Sequence, residues 1–238
     1  GPIADGLLVP VEPGVFMCSP ELVVMQLAHS LGLYKSIALA MELSGSYSIS
    51  SNGQCEWDVI SLTSVARLNC LVCVSAECRG IRTMRQVGRF AMDNSASPRE
   101  TALAVMLSLP RDLGGWGCGK PRLNAEICLS EEAARECSRS KLIADLLFEN
   151  AGLDVEYQGR EWHEKSEDRL SDETRQNALM MMGKSCLFIS KDQLRDEGRM
   201  DGMARLIRKK SGLEPFRKEL SPKMASRRMQ MMADLGVL

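Results

Sequence analysis

Hydrophobic and polar positions divide the chain into a helical first part and a second part that mixes helices with strands. Two short apolar stretches, "GLLVPV" and "GVFMCS", predict strands near the N-terminus. In "SPELVVMQLAHSLGLYKSIALAMELSGSY" apolar residues then recur at helical spacing. Ser19-Pro20-Glu21 opens that helix with a polar cap and a proline at its first position. "LTSVARLNCLVCVSAE" and "GIRTMRQVGRFAM" predict two more helices, and between them and the first lies the polar "SISSNGQCEWD", with Asn52-Gly53 as a turn signal. Residues 1–94 are therefore expected to form a mostly helical domain.

The pattern changes after "MDNSASPRE". "SASPRETALAVMLSLP" predicts a helix with Ser97 as cap, Pro98 at the first position and Glu100 where a capping-box carboxylate belongs. "RLNAEICL", "KLIADLLFE", "LDVEYQG" and "SCLFIS" predict four strands. "EDRLSDETRQNALMMMG", between the last two, predicts a helix ending at Gly183, and "KDQLRDEGRMDGMARLIRKKS" a further helix. Helix, three strands, helix, strand, helix defines an α/β domain with a mixed sheet over residues 95–212, followed by a basic tail or helix over 213–238.

The hairpin "DLLFENAGLDVEYQGREWH" carries acids where they have no structural use. With a four-residue turn at Glu149-Asn150-Ala151-Gly152, Phe148 pairs with Leu153, and counting outward brings Asp145 opposite Glu156. Acids facing each other across strands repel, which raises a pKa or invites a cation. A hard divalent ion such as Mg²⁺ takes oxygen ligands of this kind. Asp154, Glu156 and Gln158 fall on one face of the second strand.

Composition adds limits. The 238 residues carry a net charge of -1 and are 45% hydrophobic, ordinary for a globular protein. No window is expected to reach the ~20 apolar residues of a membrane span, and no secretory signal is visible. Nine cysteines, an odd number, point to reduced thiols and a cytoplasmic setting. Cys70 and Cys73 form one close pair without the second that a zinc site needs, so they are expected inside a buried helix. His29 reads as a core residue. The leading Gly1-Pro2 has the form of a scar left by a cleaved tag, so the natural chain is expected to extend upstream. Charge is uneven: residues 205–228 hold nine basic residues, among them Arg208, Lys209 and Lys210, against Glu214 and Glu219. Such a segment suits phosphate contact, and its bland alternative is a solubilising tail.

Asp145, a short turn, Glu156-Tyr157-Gln158-Gly159 and then His163 together resemble the metal motif of the PD-(D/E)XK nuclease superfamily, more narrowly the relatives of the very-short-patch-repair endonuclease. That branch reads E-x-D-G or E-Y-D-S, then a histidine, then an Asp and an Arg on the next helix. Here the helix brings Asp168, Arg169, Asp172 and Arg175, and "MMGKSCLFISKDQL" resembles the glycine, strand and polar helix start that follow. Glu100 matches the acid on the helix before the sheet. The resemblance covers residues 95 to 212 and implies a restriction-endonuclease-like mixed sheet flanked by helices. It implies a metal-dependent nuclease in which Asp145 and Glu156 bind Mg²⁺ (or Mn²⁺), Glu100 assists and Gln158 or His163 positions water. Arg169 and Arg175 would contact nucleic acid, DNA in the first instance, although the same residues also fit a solvated helix face. One position departs from the pattern: Gln158 stands where Lys or Asp is usual, and an amide cannot take a proton from water. This leaves a second function class open, a catalytically degenerate nucleic-acid-binding or regulatory protein. The first ninety residues loosely resemble the middle region of actinobacterial proteins that join such a domain to an AbiEi-type antitoxin segment.

Overall fold

The computed structural model describes residues 6–74, 79–159, 172–216 and 219–238. The chain forms two compact units, Gly1–Thr101 and Ala102–Leu238. The division falls inside one helix rather than at 94/95.

In the first unit, β1 (Leu8–Glu12) and β2 (Val15–Cys18) make an antiparallel hairpin. Helix α1 (Pro20–Leu43) starts where Ser19 Oγ accepts the Leu22 N–H at 3.3 Å. It packs on α2 (Val65–Val74) and α3 (Ile81–Phe90) through a core that includes Val24, Ala28, Ile37, Leu68, Met84 and Val87. The polar segment between α1 and α2 is not a plain loop. It forms a second hairpin, β3 (Tyr47–Ile49) with β4 (Cys55–Trp57), whose tip holds Gly53 at φ 80°.

Three expectations are corrected here. At 24 residues, with a mean hydropathy of 1.3 over its most apolar window, α1 is long and apolar enough to cross a membrane. Its backbone, however, leaves helical geometry at Gly32 (φ 75°, ψ -176°). The Gly32 carbonyl at this break accepts the Ser36 hydroxyl at 2.5 Å. His29 is exposed rather than buried and accepts a hydrogen bond from Arg79 Nη2 at 2.9 Å. Cys70 and Cys73 are exposed as well, because α2 buries only Leu68 and Leu71. Cys78 lies outside the described residues.

The second unit holds a four-stranded mixed sheet in the order β5-β6-β7-β8: β5 (Arg122–Cys128), β6 (Lys141–Phe148), β7 (Leu153–Gln158) and β8 (Ser185–Ser190). β5 and β6 pair antiparallel, as do β6 and β7, and β8 runs parallel to β7. Helix α4 (Pro98–Ser108) precedes the sheet and is continued by the loop 109–118, which folds back so that Trp116 N–H bonds Met106 O at 3.0 Å and Cys118 N–H bonds Leu107 O at 2.8 Å. Only glycine fits at position 115, where a Cβ would lie 2.0 Å from Leu109 O.

A short helix, α5 (Glu131–Cys137), joins β5 to β6, capped by Ser130 Oγ on the Ala133 N–H. α6 (Asp172–Met181) connects β7 to β8 and seats Leu179 on a sheet face made of Ala125, Ile127, Leu142, Ala144 and Leu147. The segment after β8, read as one helix, is two. α7 (Lys191–Arg195) ends at Asp196, whose side chain accepts the Arg199 N–H and starts α8 (Glu197–Lys210). The basic C-terminal region holds α9 (Pro222–Asp234), which is packed into this unit by Arg228, Met231 and Met232. Among the described residues the protein is thus a mixed α/β chain with nine helices and one four-stranded mixed sheet.

Candidate functional site

The β6–β7 hairpin pairs Phe148 with Leu153, Leu147 with Asp154 and Leu146 with Val155. This is the predicted register, and the next position outward sets Asp145 against Glu156. There the carboxylates take over from main-chain carbonyls. Asp145 N–H donates to Glu156 Oε1 at 3.1 Å, and Tyr157 N–H donates to Asp145 Oδ2 at 2.8 Å. Two acids that would repel are held by each other's strands.

On the other side of β6, the ladder to β5 pairs Leu123 with Leu146 and Ala125 with Ala144, and Asn124 between them has φ 46°. Asn tolerates this left-handed conformation better than most residues, and the resulting kink falls beside Asp145.

The cost of gathering acids is offset from α6. Leu179 anchors that helix to the sheet, and Arg175, one turn earlier, lies on the same helix face. Its Nε and Nη2 both donate to Asp154 Oδ2, at 3.0 and 2.7 Å. Nη2 also reaches Glu156 Oε1 at 2.5 Å and the carbonyl of Ile143 at 2.5 Å. Sequence reasoning passes over Asp154 as a site residue, yet it is the most buried acid of the group, 1% exposed. The signal available was its place two residues before Glu156 on a strand whose neighbours are apolar.

These groups set one another's charge. Burial raises the Asp154 pKa, with Arg175 working against it. Burial likewise pushes Glu156 upward, and the nearby carboxylates of Asp145 and Asp154 push it further. Arg175 is opposed by its own burial, but Glu156 and Asp154 more than compensate and fix it as a cation. The Cys186 thiol, 3.8 Å from Asp154 Oδ2, is raised by burial and by both acids, so it stays protonated. Asp154 Oδ1 is buried and accepts no hydrogen bond from any N–H or hydroxyl. Burial and the neighbouring acids favour a proton on Glu156, whose side chain lies within hydrogen-bonding reach of Asp154.

The oxygens of these acids are engaged by donors of the chain as they stand. Asp145 Oδ2 is directed at an N–H, Glu156 Oε1 takes an N–H and a guanidinium, and Asp154 Oδ2 takes both nitrogens of Arg175. Among the described residues no group of three or more His, Cys, Asp or Glu is placed to hold a metal ion. The guanidinium of Arg175 lies among the acids as a positive charge.

The remaining predicted residues are dispersed. Gln158 Nε2 donates to Asp172 Oδ2 at 2.6 Å, which ties the end of β7 to the start of α6 rather than presenting the amide to the acid pair. Glu100, in the other unit, has both carboxylate oxygens in the capping box: Oε1 accepts Ser97 Oγ–H and Oε2 the Ala96 N–H, each at 3.0 Å. His163, Asp168 and Arg169 lie outside the described residues. Arg175, expected to face nucleic acid, is half-buried in the acid cluster. Arg208 is bound to the carbonyls of Gly117 and Glu214, Lys210 Nζ lies 2.9 Å from Ser185 Oγ, and Lys209 is exposed.

No family model matches the chain, and no curated protein or solved structure matches it.

Proposed function

We propose that the protein is a nucleic-acid-binding or regulatory module of nuclease-like topology, in which Arg175 takes the place of the divalent cation in the acid cluster. The observation that carries this reading is the guanidinium of Arg175 bonded at once to Asp154, Glu156 and the Ile143 carbonyl. Its support for nuclease ancestry is the order helix, strand, short helix, two strands, helix, strand, with Asp145 and Glu156 meeting beyond the paired turn end of the hairpin. The support for a nucleic-acid partner is the basic stretch 205–228 in a chain of net charge -1. In this arrangement Asp154 and Glu156 hold the hairpin to α6, Asp145 ties the two strands together, and Gln158 fastens the same joint through Asp172.

A second reading, a metal-dependent nuclease, is favoured by one feature: three carboxylates converge, and one oxygen of Asp154 has no N–H or hydroxyl donor. Displacement of Arg175 would leave them to a cation. Labelled duplex and single-stranded oligonucleotides incubated with the protein and Mg²⁺ or Mn²⁺ decide between the two. Binding without cleavage is expected. Cleavage that disappears in Asp145→Asn would establish hydrolysis and overturn the first reading.

A further inference from the structure

The loop between α4 and β5 turns its carbonyl groups toward arginines of α8 and α9. Asp112 O accepts Arg227 Nη1 at 2.5 Å, Gly114 O accepts Arg228 Nε at 2.9 Å, Gly115 O accepts Arg228 Nη2 at 3.1 Å, and Gly117 O accepts Arg208 Nη1. Arg208 also donates through Nε and Nη2 to Glu214 O, at 3.2 and 2.5 Å. A carbonyl satisfies an N–H without cancelling its charge. Among the described residues, carboxylates reach only one of these three guanidiniums, that of Arg228, with Glu197 at 3.0 Å and Asp201 at 3.1 Å. Arg208 and Arg227 are fixed in position and keep their field.

Phe216 collects more of that charge. Three guanidinium carbons lie near its ring centroid: Arg111 at 4.5 Å, Arg208 at 4.9 Å and Arg205 at 5.9 Å. The ring's negative face attracts each cation but neutralises none. The crowding is felt at Arg111, whose pKa is lowered by burial and by the like charges of Arg228, Arg208 and Arg205, with Asp201 opposing. Arg205 is exposed, and beyond the Phe216 ring it makes no hydrogen bond or ion pair among the described residues.

We infer that Arg111, Arg205 and Arg208, gathered round Phe216, form a docking site for the phosphodiester backbone of a nucleic acid, with Arg205 making the contact. The inference rests on the nucleic-acid reading above and locates it. Planar guanidiniums suit phosphate oxygens, and a fixed cluster meets a polyanion without first ordering its own side chains. Contacts of this type position a strand and carry no sequence information, and the Phe216 ring holds the arginines rather than stacking a base.

The test is fluorescence polarisation of labelled duplexes of two unrelated sequences over a range of salt, with Arg205→Ala, Arg205→Lys and, as an equal charge change outside the cluster, Arg135→Ala on α5. The exposure of Arg205 leaves the melting temperature of its variants near that of the parent. Arg205→Ala is expected to weaken both duplexes alike and to make the slope of log affinity against log salt shallower by about one. Arg205→Lys should restore the slope, and Arg135→Ala should leave it unchanged. If the parent binds the duplexes and Arg205→Ala binds them with the same slope, the docking site is wrong while the nucleic-acid reading stands. If the parent binds neither duplexes nor single strands, both fall. If it binds vesicles of phosphatidylserine and phosphatidylcholine instead of either, the cluster belongs to a membrane surface and this inference is overturned.

Discussion

Arg175 meets Asp154 twice on a single oxygen, through Nε at 3.0 Å and Nη2 at 2.7 Å, and leaves the other oxygen buried. The ion pair is thus well made on one side and incomplete on the other. It also spans two elements, since Asp154 belongs to β7 and Arg175 to α6. Together with Glu156, this pair is the charged joint between sheet and helix.

Removing the cation should be costly. Arg175→Ala leaves Asp154 and Glu156 buried without a counter-charge, and breaking such a pair typically costs about 3–5 kcal/mol. At a pH where Glu156 is ionised, part of that loss is repulsion between acids, which Glu156→Gln relieves. The double variant Arg175→Ala/Glu156→Gln is therefore expected to be more stable than the sum of the single effects. Urea unfolding of the four proteins in a double-mutant cycle measures the difference. Simple additivity would mean that Arg175 and Glu156 are energetically independent.

Glu156 also predicts a pH dependence. Its folded-state pKa is raised above the unfolded value by burial and by its acidic neighbours, so the folded protein holds a proton that the unfolded chain releases. For a carboxyl shifted upward, the stabilisation is fully present below the unfolded pKa and is lost as pH rises toward the folded one. Each pH unit in that window costs up to about 1.4 kcal/mol. Glu156→Gln removes this titration and leaves that of Asp154, which burial also raises while Arg175 opposes it. The variant's amide can donate to Asp154 while its oxygen still accepts from Arg175 and the Asp145 N–H. Thermal melts from mild acid to pH 9 should fall steadily for the parent and flatten for the variant. Parallel curves would place the proton elsewhere.

The hairpin was the most legible part of the sequence. Period-2 alternation gives β6 and β7, and the turn length fixes Phe148 against Leu153, which brings Asp145 to Glu156. α5 was not legible, because seven residues are too few to display a 3.6 period. The break in α1 at Gly32 leaves no trace in a continuous apolar pattern. Arg175 and Arg228 show a more general limit. Both read as surface charges from spacing alone, since the pattern of one segment does not reveal which acids another element will bring to it. Asp154 and Asp201, far away in sequence, decide their burial. Glu100 illustrates the opposite error, a residue placed in a site although its own capping box already explains it.

Divalent ions should be selective among variants. With Arg175 in place, millimolar Mg²⁺ or Mn²⁺ is expected to leave the parent's melting temperature unchanged, and Asp145→Asn should behave likewise. Arg175→Gln keeps a donor for Asp154 but removes the charge, so Asp145, Asp154 and Glu156 can then attract a cation. A ligand that binds only the folded state stabilises it by mass action, about 2.7 kcal/mol at a hundred times Kd. Calorimetric melts of the three proteins with and without Mn²⁺ check this. A Mn²⁺ shift in the parent that Asp145→Asn abolishes would contradict the assignment of Arg175 as the resident cation.

Arg228 is the second charged joint, and its replacement tests whether the basic C-terminal region is structural at this point. The side chain is fully buried and lies 3.9 Å from the centroid of the Trp116 ring. It donates to the carbonyls of Gly114 and Gly115 and to Glu197 and Asp201, while Trp116 Nε1 donates to the same Asp201 oxygen at 2.6 Å. Lysine keeps the charge but loses the planar fork, so it cannot stack on Trp116 and serve all four acceptors at once. Each acceptor left buried without a donor costs about 1–3 kcal/mol. Arg228→Lys is therefore expected to lose at least 2 kcal/mol in urea unfolding and to alter the near-ultraviolet circular dichroism of Trp116. Arg205→Lys, on the exposed face of α8, should change neither signal. If Arg228→Lys were as stable as the parent, α9 would be held by its methionines alone, and the region's positive charge would be free for a partner.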